Sequence, residues 1–413
     1  MADQTAPDAI TGRCDPAKFE TFANGHPFAL YAAAREKEPV ALFEHEGWRY
    51  RYHVLTRYAD IDAVSRDTEN FTSTRGFRLP HLEEGRQPPS EIAETISSTF
   101  MGSDPPKHGV TRKVLQPHFM PNMLRQIDDE VQGAIDDLID RLRDRETIEF
   151  VSEFAAIVPI FTLMRLLGAP EGDADRIYEW TNRLVGANDP EYNAEPAQAA
   201  AAFMEVFNYG TALLEEREAC PSGDLLSAVA TLPKTDSREE MARRGLFTTL
   251  LAAGNETTRN SLTGAIIALT RFPDQKQALI DDPSLIPNAV REIVRYVSPV
   301  FQMMRFARRD VEVGGQTIAE GEAVVMLYGA ANRDPAMFDD PDRLDVRRAN
   351  ANRHLGFGVG VHRCIGAPVA TLQLEKMIAA LLTNFPAIEA ASEPDFLRSN
   401  FVSGIKRLDV RLC

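Results

Sequence analysis

The sequence predicts a mainly α-helical protein with small β-sheets, an α+β fold that forms one large domain over residues 1–413. Between Lys107 and about Asp282 the apolar residues follow a helical period that only scattered prolines interrupt. Strand-like runs are short, and the clearest one in the C-terminal third covers Ala323 to Leu327. No internal repeat or low-complexity segment divides the chain, so we expect one continuous fold.

Composition and charge exclude several classes of function. Apolar side chains make up 44% of the 413 residues, which is ample for a large core. No stretch approaches about eighteen consecutive apolar residues, so we expect no membrane span. The net charge of −16 argues against nucleic acid and against an anionic membrane surface as partners.

The N-terminus and the cysteines indicate a reducing compartment. Residues 1–25, interpreted as an N-terminal extension, lack the basic start and the apolar run of a secretory signal. The four cysteines, Cys14, Cys220, Cys364 and Cys413, show no pair spacing typical of a metal site. Few, scattered cysteines are more typical of proteins in the reducing cytoplasm than of disulfide-linked proteins, so we expect a cytoplasmic protein.

The N-terminal part mixes one helix with strands and ends in an irregular segment. Residues 28–37 predict a helix, while 40–43 and 48–55 are rich in aromatic and β-branched residues and predict strands. Residues 73–106 then carry Gly, Pro and charge clusters without a clear period. Because long irregular segments in compact enzymes are often binding loops, we interpret 73–106 as a lid over a substrate.

The longest predicted helix lies between Pro233 and Pro273 and is long enough to cross the centre of the molecule. Gly254 in its middle costs roughly 1 kcal/mol relative to Ala, and Glu256 and Thr257 follow in the same apolar run. A solvated polar stripe on an ordinary amphipathic helix would explain these residues. A flat cofactor and a small ligand against the helix would explain them equally well, and the helix alone leaves both interpretations open.

A Gly-rich loop over residues 351–367 carries a lone thiol. Residues 357–366 read Phe-Gly-Val-Gly-Val-His-Arg-Cys-Ile-Gly, and a helix follows from about Ala367. The glycines allow tight turns and a close approach to a flat partner. The helix start directs its unpaired N–H groups at Cys364, which favours a thiolate. An incidental buried cysteine is the alternative, and five residue types at fixed spacing argue against it.

This loop resembles the cysteine loop of the cytochromes P450, the haem-thiolate monooxygenases. The run Ala-Gly-Asn-Glu-Thr-Thr at 253–258 resembles the oxygen-binding segment of that family, and Glu292 with Arg295 forms its Glu-x-x-Arg spacing. The resemblance covers about residues 28–410, with the motifs in family order. It implies the cytochrome P450 fold of the soluble bacterial type, with haem b between the long central helix and the helix after the cysteine loop.

The resemblance also implies roles at the haem. Cys364 is expected to be the axial ligand of the iron, a single thiolate donor that favours O–O cleavage. Thr257 is expected to supply a hydroxyl, and Glu256 an acid, for the delivery of protons to bound oxygen. Further residues are expected to hold the haem through propionate cations, loop backbone and helix surface: His108, Arg112, Ala253, Gly254, Arg305, Phe357, Gly358, His362 and Gly366.

A structural ion pair and a substrate pocket follow from the same resemblance. Glu292 and Arg295 share a helix face, and we expect Arg343, in segment 338–345, as their third partner. The pocket is expected to be mainly apolar, which indicates a terpenoid or related hydrocarbon, with a fatty acid or a steroid as the alternative. The residues expected to line it, besides the 73–103 loop, are Phe100, Met101, Thr249, Val300, Phe301 and Val402.

Electrons are expected to come from another protein. The Gly-x-Gly-x-Gly run at 356–360 lacks the βαβ context of a dinucleotide site. The resemblance implies O2 as oxidant, a ferredoxin with its reductase as electron donor, and a monomeric enzyme. An acidic ferredoxin requires a local basic patch on this acidic chain. The candidates for such a patch are Arg112, Lys113, Arg347, Arg348, Arg353 and Arg363.

Three other functions remain open at this point. A peroxide-driven hydroxylase usually lacks the acid–alcohol pair, and a nitric-oxide reductase of the same fold usually lacks the acid, so Glu256 argues against both. A non-catalytic haem sensor needs no proton relay, and no regulatory linker is visible in the sequence. Substrate-dependent oxygen consumption separates these functions from the monooxygenase.

Overall fold

A computed structural model describes residues 13–87 and 99–413. Residues 1–12 of the N-terminal extension and 88–98 of the lid segment therefore lie outside the described residues. The α-helices are α1 (Phe28–Lys37), α2 (Tyr58–Arg66), α3 (Leu82–Gly85), α4 (Lys107–Leu115), α5 (Pro121–Leu142), α6 (Ile157–Leu167), α7 (Ala174–Val185), α8 (Pro196–Ala219), α9 (Leu225–Ala230), α10 (Ser237–Arg244), α11 (Leu246–Arg271), α12 (Pro273–Asp281), α13 (Ile286–Val297), α14 (Tyr328–Ala331) and α15 (Ala367–Asn384).

The strands form one larger sheet and three small ones. They are β1 (Val40–Phe43), β2 (Tyr52–Leu55), β3 (Phe71–Thr72), β4 (Thr147–Glu149), β5 (Gln302–Ala307), β6 (Val311–Val313), β7 (Gln316–Ile318), β8 (Ala323–Leu327), β9 (Glu389–Ala390), β10 (Asp395–Phe396), β11 (Ile405–Arg407) and β12 (Asp409–Arg411). The larger sheet has the order β1-β2-β8-β5-β3, and the small sheets pair β4-β12-β9, β6-β7 and β10-β11. Only the β2–β8 pair of the described strands is parallel.

The larger sheet is buried on both faces. Along β8, Val325 and Leu327 pack into one apolar cluster while Val324 and Met326 pack into another, because successive side chains of a strand point to opposite faces. A strand buried on both faces has no position for a polar residue. This explains the unbroken apolar run at 323–327.

The long helix α11 joins two apolar cores through a polar middle. Its N-terminal half, from Leu246 to Leu251, packs with α6, α7, α8 and α9. Its C-terminal half, from Leu262 to Leu269, packs with α5, α13 and α15. Residues 253–261 lie between the two cores and carry most of the polar side chains of the helix. The polar middle is therefore placed at the centre of the helical part of the molecule.

The predicted fold class, mainly α with small sheets, is confirmed. Helix 28–37 and strands 40–43 and 323–327 occur at the predicted positions, whereas the predicted strand 48–55 begins only at Tyr52. Strand β4, inside the predicted helical region, has only three residues and was missed. None of the helices in the described ranges is long and apolar enough to cross a membrane.

Candidate active site

A cavity lies between the polar middle of α11 and the cysteine loop with the start of α15. Side chains from α6 and from the loop after α13 complete its wall. Of the residues assigned from the sequence, its wall contains Phe100, Met101, His108, Thr249, Ala253, Gly254, Thr257, Val300, Arg305, Phe357, Gly358, His362, Cys364 and Gly366.

The cysteine loop is folded tightly by its own backbone. The Cys364 N–H donates to the Phe357 carbonyl at 2.7 Å, which closes the loop. Gly360 has a φ of +73°, and a Cβ there would lie 2.8 Å from the Ser65 carbonyl oxygen. A side chain at this position would meet both backbone strain and a clash. Glycine at 360 thus allows the loop to lie against the end of α2 and present Cys364 to the cavity.

The Cys364 side chain is exposed in the cavity, and the surrounding protein and nearby positive charge shift the pKa of its thiol in opposite directions. Burial raises the pKa of the Cys364 thiol, and the backbone N–H groups of Gly366 and Ala367 and the charge of Arg112 act against that rise. A coordinated metal ion would deprotonate the thiol outright. No group of three or more potential metal-ligating side chains occurs among the described residues. The arrangement therefore fits a metal that needs one protein ligand, as an iron already held by a porphyrin does.

A cationic cluster lies beside the thiol. Arg112 Nη1 donates to the carbonyls of Val361 and Arg363 at 3.1 and 2.9 Å, so this side chain braces the cysteine loop from outside the cavity wall. Arg305, on β5, lies in the wall, and its Nη1 donates to the Met304 carbonyl at 2.8 Å. Burial lowers the pKa of Arg305. The half-buried Arg112 and the buried Arg305 favour an anionic ligand in this part of the molecule.

Two histidines complete this cluster. The His108 ring stacks on Phe100 at 4.5 Å between centroids and lies 4.4 Å from the His362 ring. Burial and nearby arginines lower the pKa of His108 to about 4 and that of His362 to about 2. His108 Nε2 is buried and has no hydrogen-bond partner among the described residues. A carboxylate in the cavity would satisfy this nitrogen, so the cluster fits the propionates of a haem.

The polar middle of α11 presents small side chains and hydroxyls to the cavity. Ala253, Gly254 and Thr257 lie in the wall opposite Cys364. Thr257 Oγ1 donates to the Ala253 carbonyl at 2.9 Å, and Thr249 Oγ1 makes the same kind of bond to Gly245. Each hydroxyl keeps its acceptor lone pairs for a ligand. This stretch of helix can therefore contact a flat group closely and accept a hydrogen bond from a ligand above it.

Glu256 does not lie in the cavity wall. Its side chain is buried and forms an ion pair with Arg259, and its Oε1 accepts from Asn260 Nδ2 at 2.9 Å. Arg259 Nη1 also donates to Asn182 Oδ1 on α7 at 2.7 Å. Glu256 is thus adjacent to Thr257 in sequence, but its carboxylate is held among α7 and α11 side chains.

Phe301 and Val402, which were expected to line the pocket, do not lie in the cavity wall. Val300 and Val402 form an isolated antiparallel bridge, and only Val300 reaches the cavity. Phe301 points to the other side of the chain, where it stacks on Phe22 at 4.1 Å between centroids. The physical reason is the side-chain alternation of extended backbone, which places neighbours on opposite faces.

Several wall residues were missed in the sequence. Helix α6 contributes Thr162, Leu163 and Leu166, but an apolar helix with one threonine cannot be distinguished from ordinary core by pattern alone. Helix α15 contributes Gln373 to the wall. A polar residue within an apolar helical run is a sequence feature that could have indicated this position. The other wall residues not assigned in advance include Phe119, Leu250, Thr258, Ser261, Met303, Tyr328, Ile365, Val369 and Leu374.

The expected third partner of the buried ion pair was wrong. Arg295 Nε donates to Glu292 at 2.7 Å, and both side chains are fully buried. Arg348, not Arg343, completes the cluster, because its Nε donates to Glu292 Oε1 at 3.0 Å. The Arg343 side chain turns outward to Asp274 at 2.6 Å, and only its carbonyl accepts from Arg295. The fold brings the Arg348 side chain next to the Glu292 carboxylate. The positions of Arg343 and Arg348 in the sequence could not show this.

This placement also changes the expected basic patch. Arg348 is buried by its ion pair and is therefore removed from the patch. The candidates that remain exposed are Lys113, Arg347, Arg353 and Arg363. Arg112 is half-buried against the loop carbonyls.

Comparisons with known proteins agree with this geometry. The cytochrome P450 family model matches residues 234–412. Linalool 8-monooxygenase of Pseudomonas putida is 36% identical over 393 residues, which cover 94% of this chain and 95% of that protein. Steroid C26-monooxygenase of Rhodococcus jostii is 30% identical and covers 95% of this chain and 83% of that protein. The structure of a Mycobacterium marinum cytochrome P450 in complex with pseudoionone has a TM-score of 0.86, with 32% identity over 98% of this chain and 100% of that chain.

Proposed function

The chain belongs to the cytochrome P450 family of monooxygenases that bind haem b through a cysteine thiolate, and from that premise we propose that it hydroxylates a terpenoid. In this proposal Cys364 supplies the thiolate, Arg305, His108 and His362 hold the propionates, and Arg112 braces the loop that carries Cys364. Nε2 of His108, for which the described part of the chain offers no hydrogen-bond partner, supports this assignment. When bound, the haem supplies the activation of O2 that hydroxylation of a C–H bond requires.

The apolar character of the cavity wall carries the substrate assignment. On the α6 and α11 sides the wall contains Leu163, Leu166 and Leu250, and Phe100 and Phe119 close it further. Such a wall binds a branched hydrocarbon by burial of methyl groups and offers few polar groups to orient it. One relative is named a linalool monooxygenase and the structure of another contains pseudoionone, and both support a terpenoid. The relative named a steroid monooxygenase supports a steroid as the alternative.

The α11 side chains serve the transfer of protons in this proposal. Thr257 faces the cavity and orients a donor or a water molecule over the cofactor. Glu256 lies one residue before it and receives protons from the far side of the helix. A positioned acid contributes about 10²–10⁴-fold to such steps. The presence of both residues favours an O2-dependent reaction over a peroxide-driven one.

A ferredoxin is the proposed electron donor. The exposed residues Lys113 on α4 and Arg347, Arg353 and Arg363 around the cysteine loop form the proposed basic patch. Arg363 lies beside Cys364 in sequence, and Arg112 links α4 to the Arg363 carbonyl. An acidic partner would therefore bind close to the thiolate, where the path for an electron is short.

A ligand titration tests the substrate assignment. The ferric haem-loaded protein is titrated with linalool, pseudoionone, a C-27 sterol and hexadecanoic acid, and the shift of the Soret band towards high spin is followed. The acyclic terpenoids should give the tightest binding and, with a surrogate ferredoxin and its reductase, one hydroxylated product. If the sterol or the fatty acid binds most tightly, that class of compound, and not a terpenoid, is the substrate.

Two variants localise the binding. Leu163→Phe adds volume to the cavity wall and should weaken terpenoid binding at least severalfold. Phe301→Leu changes a residue outside the wall and should leave the dissociation constant unchanged. Equal effects of the two substitutions would contradict binding in this cavity.

A further inference from the structure

Asp104 is a buried carboxylate in the segment 73–106, three residues before the start of α4. A carboxylate in the interior of a protein is costly unless opposite charge and hydrogen bonds compensate for its loss of water. The groups that compensate Asp104 therefore indicate which parts of the molecule it serves.

The Asp104 carboxylate binds the end of β3 and the segment after β5. Its Oδ1 accepts from the Ser73 N–H at 2.9 Å, and its Oδ2 accepts from Thr72 Oγ1 at 2.5 Å. Oδ2 also forms an ion pair with Arg308, the first residue after β5. The carboxylate thus ties the chain before α4 to the edge of the larger sheet.

Asp104 is linked to both histidines of the cationic cluster, to one directly and to the other through Ser73. The Asp104 carbonyl accepts from the His108 N–H at 2.9 Å at the start of α4. Ser73, which the Asp104 carboxylate holds by its N–H, places its Oγ 3.3 Å from His362 Nε2. The placement of both histidines therefore depends on Asp104.

The charge of Asp104 acts on the same cluster. Burial and Arg112 lower the pKa of His108, and the charge of Asp104 acts against that fall. Burial likewise lowers the pKa of Arg305, and Asp104 again acts in the opposite direction. Asp104 is thus a carboxylate whose negative charge is felt by two groups of the cluster, one on α4 and one on β5.

Arg308 compensates the charge of Asp104 only in part. The Arg308 side chain is 43% exposed, whereas the Asp104 side chain is 9% exposed. Solvent and salt screen an exposed charge more strongly than a buried one. The ion pair as a whole therefore exerts a net negative potential on the cationic cluster.

We propose that Asp104 is a positioning residue of the haem site, and that its charge lowers the reduction potential of the bound haem. The inference rests on the proposed binding of the propionates by Arg305, His108 and His362. In the step concerned, one electron from the ferredoxin converts ferric to ferrous iron, and no covalent bond forms or breaks. Because this step adds one negative charge to the site, a negative charge nearby disfavours it.

The test is the reduction potential of the haem-loaded protein, measured by spectroelectrochemistry for the wild type and three variants. Asp104→Asn keeps the size of the side chain and removes its charge, so the potential should become more positive. Arg308→Gln removes the compensating charge, so the potential should become more negative, and the shift should be smaller because Arg308 is more exposed. Arg309→Gln is the control, since Arg309 is exposed and paired with Glu69, and it should leave the potential unchanged.

The opposite signs of the two shifts separate this role of Asp104 from a merely structural one. Loss of the ion pair lowers the melting temperature in both variants, but only an effect of charge moves the potential in opposite directions. Shifts of the same sign, or no shift in either variant, would overturn the proposal. If Asp104→Asn does not retain haem, Arg308→Gln decides alone: a negative shift supports the proposal, and any other result overturns it.

A further variant, Arg305→Leu, separates failure of this inference from failure of the proposed haem site. Arg305 lies in the cavity wall, so its replacement should lower the haem content and make the potential more negative. If Arg305→Leu changes neither, the assignment of the propionates has failed. If it changes them while Asp104→Asn and Arg308→Gln leave the potential unchanged, only the role of Asp104 has failed.

Discussion

Arg348 donates from Nε to Glu292 Oε1 at 3.0 Å, which turns the buried Glu292–Arg295 pair into a cluster of one carboxylate and two guanidinium groups. Asp345 N–H also donates to Glu292, and Arg348 donates to the carbonyl of Asp339. The cluster ties α13 to the segment that precedes the cysteine loop.

Removal of Glu292 should be strongly destabilising. Glu292→Ala leaves two buried guanidinium groups without their carboxylate, at a cost of about 3–5 kcal/mol in the free energy of unfolding. Arg348→Ala should also lower the melting temperature and the haem content. Arg343→Ala is the control, because that side chain is exposed with Asp274 and its pair contributes at most about 1 kcal/mol. Equal melting temperatures for Arg348→Ala and Arg343→Ala would contradict the cluster.

This cluster shows how far the sequence alone could lead. The family resemblance identified Glu292 and Arg295 as an ion pair, and residues three apart on a helix share a face. Arg343 and Arg348 both lie in an irregular segment whose turns are determined by tertiary packing. The sequence therefore could not show which of the two arginines contacts Glu292. The same limit explains why Phe301 was wrongly expected in the cavity wall. Neighbouring side chains of a short extended segment point to opposite sides, and the sequence does not show which of them faces the cavity. Thr249, Ala253 and Thr257, which the family resemblance assigned at a spacing of four residues, all lie in the wall.

Thr257→Ala should uncouple electron consumption from product formation. The Thr257 hydroxyl faces the cavity, and without it the placement of protons above the cofactor is no longer ordered. Electrons and oxygen should still be consumed when substrate is present, with most of the flux appearing as hydrogen peroxide. Thr257→Ser should retain coupling. Full coupling in the alanine variant would remove Thr257 from the proposed mechanism.

The stability of the protein should fall as the pH drops below about 6.5, because of His26. Burial lowers the pKa of His26 to about 4, against an ordinary value of about 6.5. The unfolded chain therefore binds a proton at a higher pH than the folded chain. Between pH 7 and pH 5 this residue should remove on the order of 2 kcal/mol from the free energy of unfolding.

Denaturant unfolding of His26→Gln measures this contribution. His26 Nε2 bonds the Ser298 carbonyl at 2.7 Å and Nδ1 bonds Tyr31 Oη at 3.1 Å, and an amide side chain can reproduce a donor and an acceptor. The variant should lose less stability between pH 7 and pH 5 than the wild type. An identical pH dependence would show that His26 is not held neutral.

Charge reversal in the proposed basic patch should slow the first electron transfer. Lys113→Glu and Arg353→Glu each add repulsion towards an acidic ferredoxin, and the defect should shrink as added salt screens it. The measurement is the stopped-flow rate of haem reduction at low and high ionic strength. Arg411→Glu, an exposed position on β12, is the control for net charge. Rates that match the control at all salt concentrations would place the docking site elsewhere.

Cys364 is the residue that would hold the haem as its thiolate ligand, in the cavity beside α11. The most direct measurement is the absorption spectrum of the reduced, carbon-monoxide-bound protein for the wild type, Cys364→Ala and Cys220→Ala. The wild type and Cys220→Ala, which changes an exposed cysteine, should show the red-shifted Soret band of a thiolate-bound haem. Cys364→Ala should lack it. A Cys364→Ala protein that keeps this band and its hydroxylase activity would contradict the account.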